Sequence, residues 1–299
     1  MISRLEELLG PDAVETPAPG SPWANLDGFE PEAVVHPATE EETAALLRKA
    51  SESGWLLVPS GRGHALGRGP ALKGVKIVLA LDRMREVTYE EPEDLVISAQ
   101  AGLPVEEIRE RAGKHGLRLA LEPPMGEKAT AGGLAALGRS GSSRARDGRV
   151  RDHVLGVRAL LSDGTLFSAG GRVVKNVAGY DLVRPLVGSR GTLAVLTEVT
   201  YKLRPVPPMD RTWILESGAA LEETLALGKA LVEAGLEPAA LGAWGSPSSA
   251  SLGIRLSGEE EDVLARRNRL PCSLPGRPGG WIEREETGLL PFEVLPWEA

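Results

Sequence analysis

Three glycine-rich loops are the segments of this sequence whose residue types could do chemistry. They span residues 60–69, 123–151 and 170–191, and each lies at the end of a predicted strand or between a strand and a short helix. Glycine lets the backbone come close to a ligand, and consecutive backbone N–H groups in such loops form anion-binding nests. Helix N-termini beside them favour negative charge through the helix dipole. Together the loops predict a site for a phosphate-bearing ligand, although any one of them alone could be a simple connector.

The loops do not match the two commonest nucleotide-binding motifs. No G-x-G-x-x-G run stands between a strand and a helix with an acidic residue at the required distance, so the Rossmann fingerprint is missing. No glycine-rich loop ends in G-K-[ST], which a Walker A phosphate loop requires. The sequence therefore disfavours an NAD-dependent dehydrogenase and a P-loop nucleotidase.

The first loop follows a predicted strand–helix–strand unit. Residues 33–36 form a short apolar run, and Thr39 and Glu42 have the spacing of a capping box that opens a helix. Residues 55–58 are apolar and predict a buried strand that leads directly into the loop. We therefore expect the glycine-rich loop at the end of that strand.

Further strands and short helices separate the second and third loops. Asp163-Gly164 is a turn signal that predicts a hairpin of residues 154–161 and 165–169. Residues 192–204 alternate apolar and polar side chains, as a half-buried strand does. The other predicted elements are strands at 75–81 and 94–101 and helices at 104–115 and 132–137.

Three prolines, Pro205, Pro207 and Pro208, mark a predicted domain boundary. Beyond them the sequence predicts a helix at 221–234 and a strand at 251–256. The chain of 299 residues has room for about two domains. The predicted division is a leader helix and linker at 1–26, a main domain at 27–207 and a short C-terminal domain at 208–299.

Composition and charge exclude several classes of protein. A hydrophobic content of 42% and a charged content of 25% indicate an ordered globular chain. The net charge of −8 argues against a nucleic-acid binder, which is usually basic. The single cysteine, Cys272, excludes a disulfide framework and a cysteine-ligated iron–sulfur site within this chain, and the scattered histidines predict no metal site.

The sequence predicts no insertion into a membrane. No apolar run approaches roughly 18 residues, and the first ten residues lack the basic start and continuous apolar stretch of a signal peptide. We therefore expect a cytoplasmic protein. Asn and Gln are scarce and Arg outnumbers Lys, a composition that fits a heat-adapted source or a GC-rich genome.

Several runs in and around the loops occur in an order that carries a family likeness. They are VPSGRG at 58–63, AGLP at 101–104, ATAGGLA at 129–135, RDHVLG at 151–156, GGRVVKNVAGYDL at 170–182 and VGSRGTL at 187–193. Together they resemble the flavoproteins with a PCMH-type FAD-binding domain, the vanillyl-alcohol-oxidase-like family. The run at 170–182 is the most specific, and it is similar to that of the FAD-binding E subunits of bacterial glycolate oxidases. The resemblance covers about residues 27–207.

This resemblance implies an α+β fold of two α+β subdomains with FAD extended between them, followed here by a short, truncated α+β domain of the substrate-binding type. It implies that the first loop and residues 129–133 hold the pyrophosphate through backbone N–H groups. The second loop beyond Gly138 would pass near the flavin ring, and Val195 would meet the cofactor through its backbone. The residues that it marks as binding FAD, non-covalently, are Pro59, Ser60, Gly61, Arg62, Gly63, His64, Ala65, Pro124, Met125, Ala129, Thr130, Gly132, Gly133, Gly138, Ser140, Gly141, Arg144, Lys175, Asn176, Tyr180 and Val195.

The sequence departs from the family pattern at a few positions. Arg62 and His64 stand where the family usually has a glycine and a small residue, Ser142 replaces a usual proline, and Ala194 replaces a usual glycine. Some members attach flavin covalently through a histidine in a Gly-Gly-His context, which here is Gly-Arg-Gly-His. His64 could therefore be a covalent attachment point, a polar contact of the diphosphate or a solvent-facing loop residue.

Two polar groups allow both a functional and a structural interpretation. Lys175, Asn176, Tyr180 and Asp181 could line the approach to the flavin, or Asp181 could cap a helix over 182–187 while Lys175 is solvated. The arginines of the second loop could be a solvated run, or an electropositive contact with a phosphate, a carboxylate substrate or a partner. These arginines are Arg139, Arg144, Arg146, Arg149 and Arg151.

The C-terminal part gives the clearest negative evidence about function. Related full-length 2-hydroxy-acid dehydrogenases carry a histidine-rich motif there, whereas no histidine follows His153 in this sequence. We expect an FAD-binding subunit of a glycolate oxidase complex, with a larger flavin subunit and an iron–sulfur subunit as partners and a peripheral location at the inner membrane through them. A stand-alone small flavin oxidoreductase and a non-catalytic scaffold of the same fold stay open as alternatives, and no catalytic residue is assigned.

Overall fold

The computed structural model describes residues 1–18, 20–23, 30–67, 73–123, 126–172, 180–270 and 281–284. The chain divides into two compact units. The first comprises Met1–Leu119, Gly126–Arg139 and Val150–Arg204, and the second comprises Ala120–Met125, Ser140–Arg149 and Pro205–Ala299. The predicted boundaries after residues 26 and 207 stay predictions.

The first unit contains a four-stranded sheet in which three strands run parallel. Its order is β1 (Val14–Glu15), β2 (Ala33–Val35), β4 (Val75–Ala80) and β3 (Leu56–Ser60). Strands β2 and β3 both pair with β4 in parallel, and β1 pairs with β2 antiparallel. The carboxyl ends of the three parallel strands therefore share one edge of the sheet, which is where open α/β sheets bind ligands. The first glycine-rich loop begins at this edge, directly after Ser60.

Two helices supply the core on this sheet. Helix α2 (Glu40–Ser53) connects β2 to β3, and its Leu46 lies in one buried cluster with Ile77 of β4. Helix α1 (Ile2–Leu9) adds Leu5 to the same cluster. These apolar contacts hold the parallel strands, and therefore the start of the loop, in place.

Helix α2 begins where the sequence predicts. The Thr39 hydroxyl accepts a hydrogen bond from the Glu42 N–H at 3.1 Å, and the Glu42 carboxylate accepts one from the Ala38 N–H at 2.7 Å. Such a cap contributes about 1 kcal/mol to helix stability. The helix ends at Gly54, whose φ of 64° is the left-handed conformation common at helix ends.

The second sheet of the first unit is antiparallel throughout. Its order is β5 (Val87–Glu91), β6 (Val96–Gln100), β10 (Val195–Lys202), β8 (Val154–Leu160) and β9 (Leu166–Gly170). Strands β8 and β9 form the predicted hairpin, in which the Asp163 carboxylate accepts a hydrogen bond from the Thr165 N–H at 2.8 Å. Gly164 takes a φ of 78° in this turn. The Asp-Gly signal therefore predicted this hairpin correctly.

Short elements complete the first unit. They are helices α3 (Val105–Gly113), α4 (Ala131–Leu137), α6 (Val150–His153) and α7 (Val183–Leu186), 3-10 turns at Pro11–Ala13 and Gly126–Lys128, and strand β7 (Leu117–Arg118). Strand β11 (Arg204–Pro205) spans the boundary, with Arg204 in the first unit and Pro205 in the second. Helix α4 packs against β10. Across the described stretches of the chain, no helix has the length and apolarity needed to span a bilayer.

Two burial predictions were wrong. The strand predicted as buried at 55–58 is β3, which is partly exposed because it is an edge strand, and its Leu56 is 56% exposed. The strand predicted as half-buried at 192–204 is β10, which is buried along most of its length. It is the central strand of five, and α4 covers part of it. In both cases the order of strands in the sheet decides the burial.

The second unit contains a four-stranded antiparallel sheet with two helices. Its order is β13 (Ala240–Ser246), β14 (Ser249–Gly258), β12 (Met209–Ala219) and β15 (Trp281–Arg284). Helices α8 (Leu221–Glu233) and α9 (Glu260–Arg267) bury Leu231 and Val263 against Trp213 of β12. The predicted helix at 221–234 and strand at 251–256 are confirmed. Residues 144–147 form the short helix α5 (Arg144–Asp147).

Buried charges attach a loop segment to this sheet. Arg255 of β14 donates to the Asp210 carboxylate of β12 at 2.7 and 2.5 Å, and to the Glu122 carboxylate at 2.6 Å. Burial alone would lower the pKa of Arg255, but the two carboxylates outweigh it and hold this pKa above its ordinary value. A buried guanidinium needs such partners, because an unpaired charge in the interior is costly.

Candidate cofactor-binding site

A cavity of about 330 Å³ lies in the first unit. Three segments meet around it: the end of β3 with the first loop, the start and body of α4, and the chain that leads into β10. The described lining residues are Val58, Pro59, Ser60, Gly61, Arg62, Gly63, His64, Ala65, Leu66, Leu81, Ala101, Thr130, Gly132, Gly133, Ala136, Leu137, Arg190, Gly191, Thr192, Ala194 and Leu196. This volume lies within the usual range for ligand pockets, about 300–1,000 Å³.

The first loop is shaped by a side-chain hydrogen bond and a close approach. The Ser60 hydroxyl accepts a hydrogen bond from the Gly63 N–H at 3.2 Å. Gly63 has a φ of 82°, and an added Cβ would lie 2.7 Å from the Cβ of Pro22. Only glycine fits this position without displacing its neighbour. Within the described chain, the N–H groups of Gly61 and Ala65 meet no hydrogen-bond acceptor, and both residues line the cavity.

The start of α4 forms the facing wall. The Thr130 hydroxyl accepts a hydrogen bond from the Gly133 N–H at 3.2 Å and so caps the helix. The Gly132 N–H donates to the Ala101 carbonyl at 2.8 Å, and a Cβ on Gly132 would lie 2.6 Å from the Ala101 Cβ. The Tyr201 hydroxyl, buried in β10, donates to the Ala131 carbonyl at 2.6 Å. Burial raises the pKa of Tyr201, which therefore stays neutral.

The third wall is a short segment bound to α4. The Gly188 N–H donates to the Ala135 carbonyl at 3.0 Å, and the Arg190 N–H donates to the Ala136 carbonyl at 2.8 Å. Gly191 has a φ of 74° and approaches β3 so closely that a Cβ would lie 2.4 Å from the Cγ of Pro59. The segment thus connects α4 to the end of β3.

The cavity is largely apolar, with two arginines and a histidine in its lining. Its ionisable lining residues are Arg62, His64 and Arg190, and no acidic residue occurs among the described lining residues. Leucines and alanines form most of the remaining wall. Such a site suits a ligand with an anionic group, held by arginine and backbone N–H groups, and with apolar or aromatic parts that contact the leucines.

Ten of the predicted cofactor-binding residues line this cavity. They are Pro59, Ser60, Gly61, Arg62, Gly63, His64, Ala65, Thr130, Gly132 and Gly133. Three others in the first unit lie beside it. The Ala129 carbonyl accepts a hydrogen bond from the Val105 N–H, Gly138 ends α4 with a φ of 65°, and the Val195 side chain belongs to the buried core. Ala194 and Leu196, on either side of Val195, line the cavity.

The remaining predicted residues lie elsewhere. Pro124, Met125, Lys175 and Asn176 fall outside the described residues. Ser140, Gly141 and Arg144 belong to the second unit, and their predicted contact with the flavin stays a prediction. Tyr180 is 95% exposed and does not line the cavity.

Gly141 has a structural reason to be glycine. Its φ is 79°, and an added Cβ would lie 1.7 Å from the Glu122 carbonyl oxygen. The Glu122 N–H also donates to the Ser140 carbonyl at 3.4 Å. The close approach of these two backbone segments excludes any side chain at residue 141.

Two residues of the open structural alternatives make defined contacts. The Asp181 carboxylate accepts a hydrogen bond from the Arg184 N–H at 3.3 Å and pairs with its guanidinium at 2.9 Å, beside the α7 N-cap residue Leu182. Whether the cluster around Asp181 lines the approach to the flavin stays open. Arg146 of the second loop is not simply solvated, because it donates to the Ser257 carbonyl at 2.5 Å within the second unit.

The sequence interpretation missed part of the lining. The missed residues are Val58, Leu66, Leu81, Ala101, Ala136, Leu137, Arg190, Gly191, Thr192, Ala194 and Leu196. A signal for three of them was present, because the run VGSRGTL at 187–193 places an arginine between two glycines just before a strand. Val58 and Ala101 also stand in the runs VPSGRG and AGLP. The positions of the other missed residues depend on packing, which no local pattern encodes.

Comparison with known proteins agrees with this site. The family described as "FAD binding domain" matches residues 31–170. Glycolate oxidase subunit GlcE of Escherichia coli is 39% identical over 216 residues, which cover 71% of this chain and 59% of that protein. D-lactate dehydrogenase of Archaeoglobus fulgidus is 35% identical over 208 residues, which cover 68% of this chain and 46% of that protein. The chain thus spans about half the length of the curated relatives it matches.

Solved structures share the fold at low sequence identity. A structure of p-cresol methylhydroxylase with substrate bound matches with a TM-score of 0.73 and 18% identity, covering 98% of this chain and 67% of that one. A structure of alkyldihydroxyacetonephosphate synthase also matches with a TM-score of 0.73 and 18% identity, covering 89% of this chain and 58% of that one. These matches support the predicted α+β architecture of the PCMH type.

The residues present fit the cofactor that this family binds. Arg62, Arg190 and the N–H groups of Gly61 and Ala65, which meet no acceptor among the described residues, suit the diphosphate of FAD. The apolar wall suits its ring systems. Gly61 and Gly132 keep the backbone bare where side chains would collide with Thr130 and Ala101 of the cavity wall. The chain therefore contains a PCMH-type FAD-binding domain, and its cofactor is FAD.

Proposed function

We propose that the chain is the FAD-binding subunit of a glycolate oxidase complex and takes part in the oxidation of glycolate to glyoxylate. The observation that carries this proposal is the 39% identity to a glycolate oxidase subunit over 71% of the chain. Other relatives are named for lactate and for 2-hydroxyglutarate, which are also 2-hydroxy acids. The common substrate class of these relatives supports an oxidoreductase that acts on the CH–OH group of a 2-hydroxy acid.

The residues of this chain supply binding and orientation. Bound FAD supplies the two-electron redox chemistry, in which the hydroxyl carbon of the acid is oxidised with loss of two protons and two electrons. Arg62, Arg190 and the N–H groups of Gly61 and Ala65 bind the diphosphate. Leu81 and Leu196 contribute apolar surface that excludes water from the cavity. Tyr201 holds α4, and with it one wall of the cavity, against β10.

The proposal includes two partners. A larger flavin subunit would oxidise glycolate, and an iron–sulfur subunit would take the electrons onward. This chain has one cysteine, so it could not ligate a cysteine-bound cluster by itself. The cytoplasmic location, with peripheral attachment to the inner membrane through the partners, belongs to the same proposal.

Anaerobic reduction of the bound flavin tests the proposal. The purified chain is loaded with FAD, and its visible absorbance is followed after addition of glycolate, alone and in the complex copurified from the native host. We expect bleaching by glycolate in the complex and none with the isolated chain. Bleaching of the isolated chain would favour a stand-alone oxidoreductase, and a chain that takes up no FAD would favour a scaffold.

Non-covalent attachment needs a separate measurement. His64 lines the cavity, so it is placed to contact the cofactor. Acid precipitation of the FAD-loaded chain should leave all flavin in the supernatant. Flavin that stays with the pellet would contradict non-covalent binding, and a His64→Ala variant that then releases it would identify the linkage.

A further inference from the structure

Arg190 is in a backbone conformation that L-residues rarely adopt. Its φ is 56°, within the left-handed region. Among the described non-glycine residues, Leu95, Arg190 and Glu237 have a positive φ, and of these Arg190 alone lines the cavity. Left-handed backbone at a residue with a Cβ is strained, and such strain persists only where the surrounding structure fixes it. Strained residues cluster at ligand sites, so this position invites a functional explanation.

The surroundings of Arg190 fix its backbone from both sides. Its N–H donates to the Ala136 carbonyl at 2.8 Å, and the preceding Gly188 N–H donates to the Ala135 carbonyl at 3.0 Å. On the other side, Gly191 packs directly on Pro59 with no room for a Cβ. The segment is therefore held between α4 and β3, the two elements that form facing walls of the cavity.

A glycine at residue 190 would remove the strain at no steric cost, yet the chain has an arginine there. Gly188 and Gly191 on either side already supply left-handed backbone, with φ values of 86° and 74°. The guanidinium group is permanently charged, so it can attract a phosphate through its charge at any ordinary pH.

We propose that Arg190 is kept in its strained conformation because it fixes a positive charge that binds the anionic diphosphate of FAD, so that stability of the cofactor-free chain is traded for cofactor affinity. This inference rests on the FAD-binding part of the proposed function and is independent of glycolate as the substrate. It also identifies a binding determinant outside the two loops to which the sequence assigns the diphosphate.

Three substitutions at residue 190 separate charge from strain. Arg190→Gln removes the charge and keeps a side chain of similar length, Arg190→Lys keeps the charge, and Arg190→Gly removes both charge and strain. Arg184→Gln is the matched control, because Arg184 belongs to the same unit but lies on α7, is 71% exposed at its side chain and does not line the cavity. The measurements are the dissociation constant of FAD by flavin fluorescence at low and high salt, and the melting temperature of each cofactor-free chain.

The proposal predicts a distinct pattern. Arg190→Gln should weaken FAD binding about 10- to 100-fold at low salt, the range expected for a lost charged hydrogen bond. The loss should shrink at high salt because salt screens exposed charges. Arg190→Lys and Arg184→Gln should stay within about threefold of the wild type. Arg190→Gly should bind FAD as weakly as Arg190→Gln, yet its cofactor-free form should melt about 2–4 °C higher than the wild type.

Other results would overturn the proposal. An Arg190→Gln chain that binds FAD as tightly as the wild type would exclude a role of the charge. A loss of FAD affinity in Arg190→Lys as large as in Arg190→Gln would also exclude a role of the charge. The same holds for a loss of FAD affinity that does not change with salt. A cofactor-free Arg190→Gly chain that melts below the wild type would exclude the trade of stability for affinity. If the wild type itself takes up no FAD, the FAD-binding function fails, and that result is distinct from all of these.

Discussion

A Cβ atom on Gly61 would lie 2.3 Å from the Thr130 hydroxyl oxygen, which is closer than non-bonded atoms approach. Gly61 belongs to the first glycine-rich loop, and Thr130 caps α4 through its hydrogen bond with the Gly133 N–H. The two walls of the cavity therefore touch at this point. The absence of a side chain at residue 61 is what allows the loop and the helix to enclose one cavity.

The first prediction concerns Gly61→Ala. The added methyl group must push the Thr130 hydroxyl away, which breaks the cap and separates the two walls. We expect destabilisation by about 1–3 kcal/mol, as for other overpacking substitutions. FAD affinity should fall at least about tenfold, equivalent to roughly 1.4 kcal/mol. Thermal unfolding and fluorescence titration with FAD measure the two effects.

Gly113→Ala is the matched control for this substitution. Gly113 is exposed in α3, and a Cβ there would meet no atom within 4 Å. Alanine is the better helix former, so the variant should gain up to about 1 kcal/mol of stability and bind FAD as the wild type does. A Gly61→Ala chain that behaves like Gly113→Ala would show that the close approach does not shape the cavity.

The second prediction tests whether Thr130 causes the loss. Thr130→Ala alone should cost about 1 kcal/mol of stability through the lost cap. In the Thr130→Ala chain, Gly61→Ala should lower the free energy of unfolding by at least about 1 kcal/mol less than it does in the wild type, because the colliding hydroxyl is gone. Unfolding free energies of the four chains of this cycle give the coupling. If the stability loss of the double variant equals the sum of the two single losses to within about 0.5 kcal/mol, the two residues do not interact.

The third prediction concerns Tyr201→Phe. The substitution removes the hydroxyl that donates to the Ala131 carbonyl at 2.6 Å, and we expect a loss of about 1 kcal/mol of stability with weaker FAD binding. Tyr89→Phe on β5 is the control, because the Tyr89 hydroxyl makes no hydrogen bond within the described chain. Equal melting temperatures for the two variants would contradict the role given to Tyr201.

Local signals predicted local structure, whereas packing decided the rest. The cap at Thr39 and the Asp163-Gly164 turn depend on residues a few positions apart, and both predictions are confirmed. The exposure of β3 and the burial of β10 depend on the order of strands in their sheets, which the sequence does not display. The runs of the first loop and of residues 130–133 located two walls of the cavity. Arg190 was missed because its place depends on hydrogen bonds to α4.

The fourth prediction concerns the pH dependence of stability at Glu40. Burial raises the pKa of the Glu40 carboxyl, but hydrogen bonds from Arg158 at 3.0 and 2.5 Å and from Thr197 at 2.5 Å outweigh it, and the pKa lies below its ordinary value of 4.5. Because the pKa is lowered in the folded chain, the Glu40 carboxylate stabilises the fold at pH values above 4.5. This stabilisation disappears as the pH falls through the pKa of the folded chain.

Unfolding free energies as a function of pH test this prediction. Glu40→Gln should be less stable than the wild type at neutral pH, and the difference should shrink as the pH falls below about 4.5. Glu52→Gln, exposed at the end of the same helix, should change stability by less than about 0.5 kcal/mol at every pH. A difference between Glu40→Gln and wild type that does not change with pH would contradict the prediction.

The fifth prediction concerns His36. A hydrogen bond with the Asp82 carboxylate at 2.7 Å raises the pKa of His36 most, burial lowers it, and the charges of Asp82 and Glu15 raise it further, so that it lies above 6.5. The protonated His36 ring therefore stabilises the folded chain. This stabilisation is fully present below pH 6.5 and is lost as the pH rises through the raised pKa. Asp82→Asn should lower the pKa of His36 in an NMR titration of the ring protons. An unchanged pKa would show that Asp82 does not cause the shift.

Titration of the cofactor-free wild-type chain with FAD, followed by acid precipitation, tests the central claim most directly. The cavity between the first loop, α4 and the segment at Arg190 predicts saturable binding of one FAD per chain and complete release of the flavin by acid. The same titration with Gly61→Ala should show weakened binding. A wild-type chain that binds no FAD, or that binds it equally well after Gly61→Ala, would contradict the assignment of the cofactor to this cavity.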